Sequence, residues 1–154
     1  MGKLARWLRM LGFDSLFCGD EDDSQIVQQA LAEGRVLLTR DTGIMKRRVV
    51  VAGRLKAVLM QSEQPEQQMQ QLVSTLDIKS QSHPFTICLE CNQPLINRTP
   101  TEVKDRVPPY VYRTQTQYME CPDCRRIYWR GTHWQAMLTK LNKTVGIENQ
   151  EAAR

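Results

Sequence analysis

Cys88-Leu89-Glu90-Cys91 and Cys121-Pro122-Asp123-Cys124 are two Cys-x-x-Cys pairs, and 29 residues lie between them. Two such pairs at this spacing are typical of a site in which four thiolates surround one zinc ion. Each pair is followed by an apolar run that favours a short strand, at residues 94–96 and 127–129. Turns that carry ligands and lead into strands indicate a zinc ribbon. We therefore expect structural zinc on Cys88, Cys91, Cys121 and Cys124.

The cysteine pairs have alternatives, since they could form two disulfides or one redox-active pair. Disulfide frameworks belong to small secreted chains, and the N-terminus of this sequence does not resemble a signal peptide. The 154 residues are 41% hydrophobic and 25% charged, as in a soluble globular protein. No apolar run approaches the ~20 residues of a membrane span. We therefore expect reduced cysteines, a cytoplasmic location and no membrane partner.

The residues before the cysteines alternate between helical and strand-like patterns. Leu4, Leu8 and Leu11 recur at helical spacing, and apolar runs at residues 15–18, 35–39 and 57–60 predict short strands. Helical patterns separate these runs and follow the last one. This alternation predicts a small parallel sheet with helices on both faces over residues 1–82, then the zinc ribbon over residues 83–140 and a flexible tail over residues 141–154.

Acidic residues follow two of the predicted strands. Asp41 comes two residues after the run at 35–39, and Asp22 and Asp23 follow the run at 15–18. The carboxyl ends of parallel strands are where functional residues lie, and carboxylates that converge there can hold Mg²⁺ or Mn²⁺. Acidic residues are also common as helix caps and turn residues, and the residues alone favour that plainer interpretation.

Basic residues are concentrated beside Asp41. The net charge is only +4, but residues 35–56 contain seven Lys and Arg and a single acidic residue. A metal nuclease must hold a polyanion next to its carboxylates, so four of these residues are candidate RNA contacts: Arg40, Lys46, Arg47 and Arg48. The first helix carries a second basic face with Lys3, Arg6 and Arg9, which would either meet phosphates or stay solvated.

The ribbon offers a different kind of RNA contact. Trp129 and Arg130 combine an aromatic ring and a positive charge, as do stacking platforms for single strands. In so small a ribbon, at least one of the aromatic residues in the segment that contains Trp129 and Trp134 must belong to the core.

Several separated motifs resemble the Mut-seven C-terminal RNase domain family. They are Gly-Lys-Leu-Ala-Arg-Trp-Leu-Arg-Met-Leu-Gly at residues 2–12, Leu-Leu-Thr-Arg-Asp at 37–41, both cysteine pairs, Arg-Val-Pro-Pro at 106–109, and Tyr-Trp-Arg-Gly-Thr-His-Trp at 128–134. The resemblance covers residues 2–138 and implies an α/β, PIN-like fold: a small parallel sheet with flanking helices, followed by a four-cysteine zinc ribbon.

The resemblance also implies an activity, namely divalent-metal-dependent endonucleolytic cleavage of single-stranded RNA. Asp22, Asp23 and Asp41 would be catalytic, with Asp22 and Asp41 as ligands of Mg²⁺ or Mn²⁺. His133 lies in the family-like turn at 131–134 and is expected to face RNA or to be structural. Zinc would be structural, because four cysteines complete its coordination.

One departure from the family pattern bears on this activity. Family members usually begin with an apolar strand that ends in an aspartate, and this sequence has no such strand before Gly2. We therefore expect weak metal binding, and either slow cleavage or none, from the sequence as it stands. The alternative function is a non-catalytic RNA- or ribosome-associated binding module in which the ribbon carries the affinity.

Overall fold

The computed structural model of the chain describes residues 2–146. In its first half, helices and strands follow the order α1 (Gly2–Met10), α2 (Asp23–Glu33), β1 (Leu37–Thr39), α3 (Thr42–Met45), α4 (Arg48–Val51), β2 (Ala57–Leu59), α5 (Pro65–Thr75) and α6 (Ile78–Gln81). In its second half they are β3 (Ile96–Arg98), α7 (Pro100–Val103), a 3₁₀ turn (Lys104–Arg106), α8 (Pro109–Thr114), β4 (Tyr118–Glu120), β5 (Ile127–Tyr128) and α9 (Thr132–Val145). None of the described helices is both long and apolar enough to span a membrane.

The first half is built on a parallel pair of strands. Leu38 of β1 lies opposite Val58 of β2, and the Met60 amide donates to the Thr39 carbonyl at 2.7 Å. Both strands coincide with apolar runs in the sequence. Their side chains can therefore pack against the hydrophobic cores that surround the sheet. The structure confirms the predicted α/β class with a small parallel sheet and flanking helices.

The predicted strand at residues 15–18 is wrong. This segment has no regular secondary structure and pairs with no strand among the described residues. Side chains hold it instead: the Ser15 amide donates to Asn92 Oδ1 at 2.8 Å, and Arg9 Nε donates to the Ser15 carbonyl at 2.9 Å. Leu16 and Phe17 remain exposed. An apolar run without a neighbouring strand therefore stays outside the sheet.

The second half is an antiparallel sheet in the order β3–β4–β5. The strands are short, with Asn97 opposite Met119 and Met119 opposite Tyr128. Helices α7 and α8 fill the connection from β3 to β4 and form a small core around Tyr118, whose hydroxyl donates to the Val111 carbonyl at 3.0 Å. This arrangement is the predicted ribbon with an inserted helical segment.

The largest hydrophobic core crosses the predicted domain boundary at residues 82 and 83. It joins Leu8 of α1 and Leu72 of α5 to Trp134 and Leu138 of α9, and α9 packs against α5. Two folding units over residues 1–82 and 83–140 stay a prediction, but the halves share one core. The expected flexible tail is wrong for residues 141–145, because α9 continues to Val145 and buries it. The rest of that tail, residues 147–154, lies outside the described part.

The end of α1 meets the segment between the two halves at a glycine. Gly12 has a φ of 92°, and a Cβ atom at this position would lie 2.1 Å from the His83 carbonyl oxygen. The His83 amide in turn donates to the Leu11 carbonyl at 2.7 Å. Only glycine allows both this backbone conformation and this close approach.

Candidate metal centre and acidic site

The four cysteines of the two pairs converge between the first turn of the ribbon and the second. Their sulfur atoms all lie within 4.8 Å of one another, and the Sγ atoms of Cys88 and Cys124 are 3.7 Å apart. A tetrahedral ion with Zn–S bonds of about 2.3 Å would separate its sulfurs by about 3.8 Å. The five cysteines of the described residues are all free thiols, so no disulfide competes for these sulfurs.

The two ligand turns have the same backbone structure. In each, the amide of the second cysteine donates to the sulfur of the first at 3.4 Å, from Cys91 to Cys88 and from Cys124 to Cys121. Each turn then closes on a residue with positive φ, Asn92 at 60° and Arg125 at 67°. Backbone donors directed at sulfur stabilise thiolates, which are the ligands that zinc requires.

The electrostatics of the sulfurs favour a cation. Burial raises the pKa of Cys88, but hydrogen bonds from Tyr128 and from the amides of Cys91 and Glu90 outweigh it and lower the pKa to about 7. A hydrogen bond between the thiols of Cys91 and Cys124 raises the pKa of Cys91 to about 12. Without a cation the four groups cannot all ionise at this spacing. The cysteines could therefore hold a structural zinc ion, which would stabilise all four thiolates.

Helix α1 is attached to the first of these turns. Arg9 Nη1 donates to the carbonyls of Leu89 and Glu90 at 2.9 and 3.4 Å, and Arg6 pairs with the Glu90 carboxylate. Two arginines of the basic face of α1 therefore have partners within the protein, although Arg6 remains about half exposed. These arginines fasten the α/β half to the loop between Cys88 and Cys91.

Two of the predicted acidic residues meet at the carboxyl end of β1. The Asp41 amide donates to Thr39 Oγ1 at 3.0 Å, and Asp41 Oδ1 accepts from the Gly43 amide at 2.7 Å, which caps α3. Asp23, the first residue of α2, lies near enough to Asp41 for the two carboxyl groups to interact electrostatically. The interaction with Asp41 raises the pKa of Asp23, whereas the Gly43 amide, followed by the interaction with Asp23, lowers the pKa of Asp41.

Asp22 occupies a different position from its neighbour. Its Oδ1 accepts from the Gln25 amide at 2.8 Å, and Gln25 Oε1 accepts from the Asp22 amide at 3.2 Å, so the two residues form a capping box at the start of α2. Across residues 2–146, the four cysteines are the one set of three or more Cys, His, Asp or Glu side chains near enough to share an ion. The acidic site therefore consists of the pair Asp23 and Asp41, and a ligand role for Asp22 stays a prediction.

The basic residues near this pair differ in what they contact. Arg47 Nη1 donates to Ser24 Oγ at 3.2 Å, and its charge acts on both carboxylates. Arg40 instead forms an exposed ion pair with Glu63 at 2.7 Å. Lys46 and Arg48 are exposed. The partners of these two arginines, Ser24 and Glu63, were not predicted from the sequence. Glu63 could have been, because it follows β2 as Asp41 follows β1, and functional residues lie at the carboxyl ends of parallel strands.

The predicted stacking residues of the ribbon are partly engaged in packing. Trp129 is half-buried and lies against the small core around Tyr118. Arg130 lies over the ring of Phe85, with 4.8 Å from its Cζ atom to the ring centroid. His133 is exposed at the start of α9. These positions favour structural roles for Trp129 and Arg130 and leave His133 accessible, and none of the three has a demonstrated contact with RNA.

Comparison with known proteins agrees with the motifs described above. The family described as the Mut7-C RNAse domain has a sequence model that matches residues 1–141, which include the α/β half and the zinc ribbon. No match was found among curated proteins or among solved structures. The description of the matching family connects the chain with ribonucleases. Because the match extends over most of the residues, the chain belongs to the Mut7-C RNAse domain family.

Proposed function

We propose that this protein is a divalent-metal-dependent endoribonuclease that cleaves single-stranded RNA. The observation that carries the proposal is the position of Asp41 directly after β1, with Asp23 of α2 near enough to interact with it electrostatically. The two carboxylates come from separate elements, and a parallel sheet places functional groups at this edge. Family membership supports RNA as the substrate.

The carboxylate pair is suited to a hydrated Mg²⁺ or Mn²⁺ ion. Two neighbouring carboxyl groups disfavour the ionisation of each other, and the interaction with Asp41 is the main cause of the raised pKa of Asp23. One or two carboxylates, with waters and substrate phosphate, are the usual ligands of Mg²⁺. A bound ion would supply an activated water and neutralise charge that develops on the phosphate.

The remaining residues of the site would bind and orient the RNA. Arg47 lies next to both carboxylates and is held by Ser24, so its guanidinium can reach a phosphate beside the acidic pair. Lys46 and Arg48 flank it and are exposed, which suits contacts to neighbouring phosphates. Arg40 would first have to leave Glu63, a small cost for an exposed pair.

Zinc would take no part in the reaction. Four cysteine ligands leave no open position for water or substrate, as in other structural sites. Its role would be to hold the ribbon against α1 and the shared core. Reduced thiolates of this kind fit a cytoplasmic protein, and we propose that location.

The proposal is tested by cleavage of labelled single-stranded RNA in Mn²⁺ or in chelator. We expect cleavage that needs the metal, and a loss on the order of 10²-fold or more in Asp41→Asn and Asp23→Asn, because each removes a charge at the reacting phosphate. Asp105→Asn, an exposed acid of the 3₁₀ turn, is the matched control and should cleave normally.

Two results would count against the proposal. Cleavage that survives both Asp41→Asn and Asp23→Asn would place the active site elsewhere. RNA binding without cleavage, under every metal tried, would favour the non-catalytic binding module instead.

A further inference from the structure

A glutamate is buried in the ribbon next to the zinc ligands. Glu120 of β4 is 1% exposed and immediately precedes Cys121. Three guanidinium groups reach its carboxylate: Arg98 Nε at 2.7 Å, Arg125 Nε at 2.6 Å and Arg106 Nη1 at 3.0 Å. Hydrogen bonding, first from Arg98, outweighs burial and lowers the pKa of Glu120 to about 2. We call Arg98, Arg106 and Arg125 the arginine cluster.

The arginine cluster carries more positive charge than Glu120 neutralises. One arginine would balance one carboxylate, yet three converge on it. Glu102 also approaches Arg98, but at 3.4 Å and on the exposed side. The side chains of the cluster are 31%, 37% and 67% exposed, in the order Arg98, Arg106, Arg125. A guanidinium has five N–H donors, so most donors of the cluster are not used by Glu120.

Arg125 is held in a backbone conformation that arginine rarely adopts. Its φ of 67° matches the φ of 60° at Asn92, the equivalent residue of the other ligand turn. Asparagine tolerates this region well, whereas arginine is strained there. The strained residue, Arg125, is also the most exposed member of the cluster. Local strain of this kind is a feature of functional sites.

We propose that the arginine cluster binds the phosphate backbone of single-stranded RNA at a site separate from Asp23 and Asp41. Guanidinium groups pair with phosphate oxygens through two parallel N–H bonds, and Glu120 orients all three groups before the ligand arrives. A pre-positioned group loses less conformational freedom on binding. The choice of RNA as ligand rests on the proposed function, but the binding itself does not require catalysis.

The zinc site would keep this surface in shape. Glu120 directly precedes the ligand Cys121, and Arg125 directly follows the ligand Cys124. Arg106 Nη2 also donates to the Arg125 carbonyl at 2.5 Å, which ties the 3₁₀ turn to the same ligand turn. The second ligand turn therefore fixes the position of Glu120 at its start and of Arg125 at its end.

The test is the salt dependence of RNA binding by the zinc-loaded full chain, measured by fluorescence anisotropy with a short labelled oligouridylate and no added Mg²⁺ or Mn²⁺. The variants are Arg125→Asn, which introduces the residue type found at the equivalent position 92, and Arg106→Gln. Affinity falls as salt rises, and each variant should make this fall less steep by about 0.7 in the slope of log affinity against log salt. Each should also weaken binding about 5-fold at about 0.1 M salt, as expected for the loss of one phosphate contact.

Lys143→Gln is the matched control, since it removes one positive charge from the exposed surface of α9. Its slope should stay that of the parent. Zinc content shows whether each variant keeps its ligand turns. Zinc-loaded Arg125→Asn and Arg106→Gln with the parent slope, or a parent that binds no RNA, would overturn the inference. A parent that binds through these arginines but never cleaves RNA would leave it intact and refute only the proposed activity.

Discussion

Replacement of Cys121, one of the four cysteines that could hold zinc, is expected to destabilise both halves of the protein. Cys121 is fully buried, and its sulfur lies within 4.8 Å of the other three. In Cys121→Ser a hydroxyl would replace a thiolate, and the hydroxyl stays neutral and binds zinc poorly. The structure places this change in the same core that contains α1 and α5.

The size of the effect follows from the share of one ligand in the zinc free energy. Structural zinc contributes about 10–16 kcal/mol to the folding of small zinc domains, so one ligand of four accounts for about 2.5–4 kcal/mol. For a chain of 154 residues, each kcal/mol shifts the melting temperature by about 2–4 °C. We therefore expect Cys121→Ser to melt about 5–16 °C below the parent.

The location of the effect distinguishes a shared core from independent halves. Arg9 reaches the carbonyls of Leu89 and Glu90, so disorder in the first ligand turn removes hydrogen bonds from α1. Hydrogen exchange read by mass spectrometry should therefore show faster exchange in peptides from α1 and α5 as well as from the ribbon. Thermal unfolding should remain one transition.

Cys18→Ser is the matched control, because Cys18 is a free thiol outside the zinc site. It should melt close to the parent and keep its zinc. Faster exchange in the ribbon alone, with α1 and α5 of Cys121→Ser as protected as in the parent, would contradict a shared core. That result would show two independent units and would restore the boundary at residue 82.

Two further predictions concern the junction between the halves. Gly12→Ala should destabilise the protein by about 1–3 kcal/mol or more, because its Cβ would meet the His83 carbonyl and its φ is 92°. Urea unfolding measures the loss, and an unchanged midpoint would contradict the close approach. Arg9→Ala should cost about 1–3 kcal/mol, because the carbonyls of Ser15, Leu89 and Glu90 lose a donor. Lys3→Ala on the exposed side of the same helix is its control, and equal midpoints for both variants would argue against the docking of α1 on the ligand turn.

Local patterns in the sequence were sufficient to predict the four cysteines that converge and the two strands of the parallel sheet. Ligand spacing determines which cysteines can share an ion, and a continuous apolar run such as residues 35–39 can be buried on both faces only inside a sheet. The strand predicted at residues 15–18 failed because apolar character does not supply a hydrogen-bonding neighbour. In the structure, Asn92 and Arg9 occupy the backbone groups of Ser15 that a strand would have used.

Features that depend on long-range packing could not be read from the sequence. The apolar stripe of α9, with Trp134 and Leu138, identifies an amphipathic helix but not its partner, which is α5 in the other half. Glu120 gives no local sign that it will meet Arg98 and Arg106, which precede it by 22 and 14 residues. The position of Asp41 at the carboxyl end of β1 could be predicted from the sequence. Its electrostatic interaction with Asp23 depends on where the start of α2 lies relative to β1, which the sequence does not give.

The most direct test of the account is the binding of Mn²⁺ to the zinc-loaded protein, followed by electron paramagnetic resonance. The acidic pair Asp23 and Asp41 should bind one ion, and Asp23→Asn and Asp41→Asn should each weaken its affinity by about 10-fold or more, since loss of even an outer-shell partner of a metal ligand has an effect of that order. Asp105→Asn should bind as the parent does. Equal Mn²⁺ affinity in the parent and in Asp41→Asn would contradict the claim that this pair is the catalytic metal site.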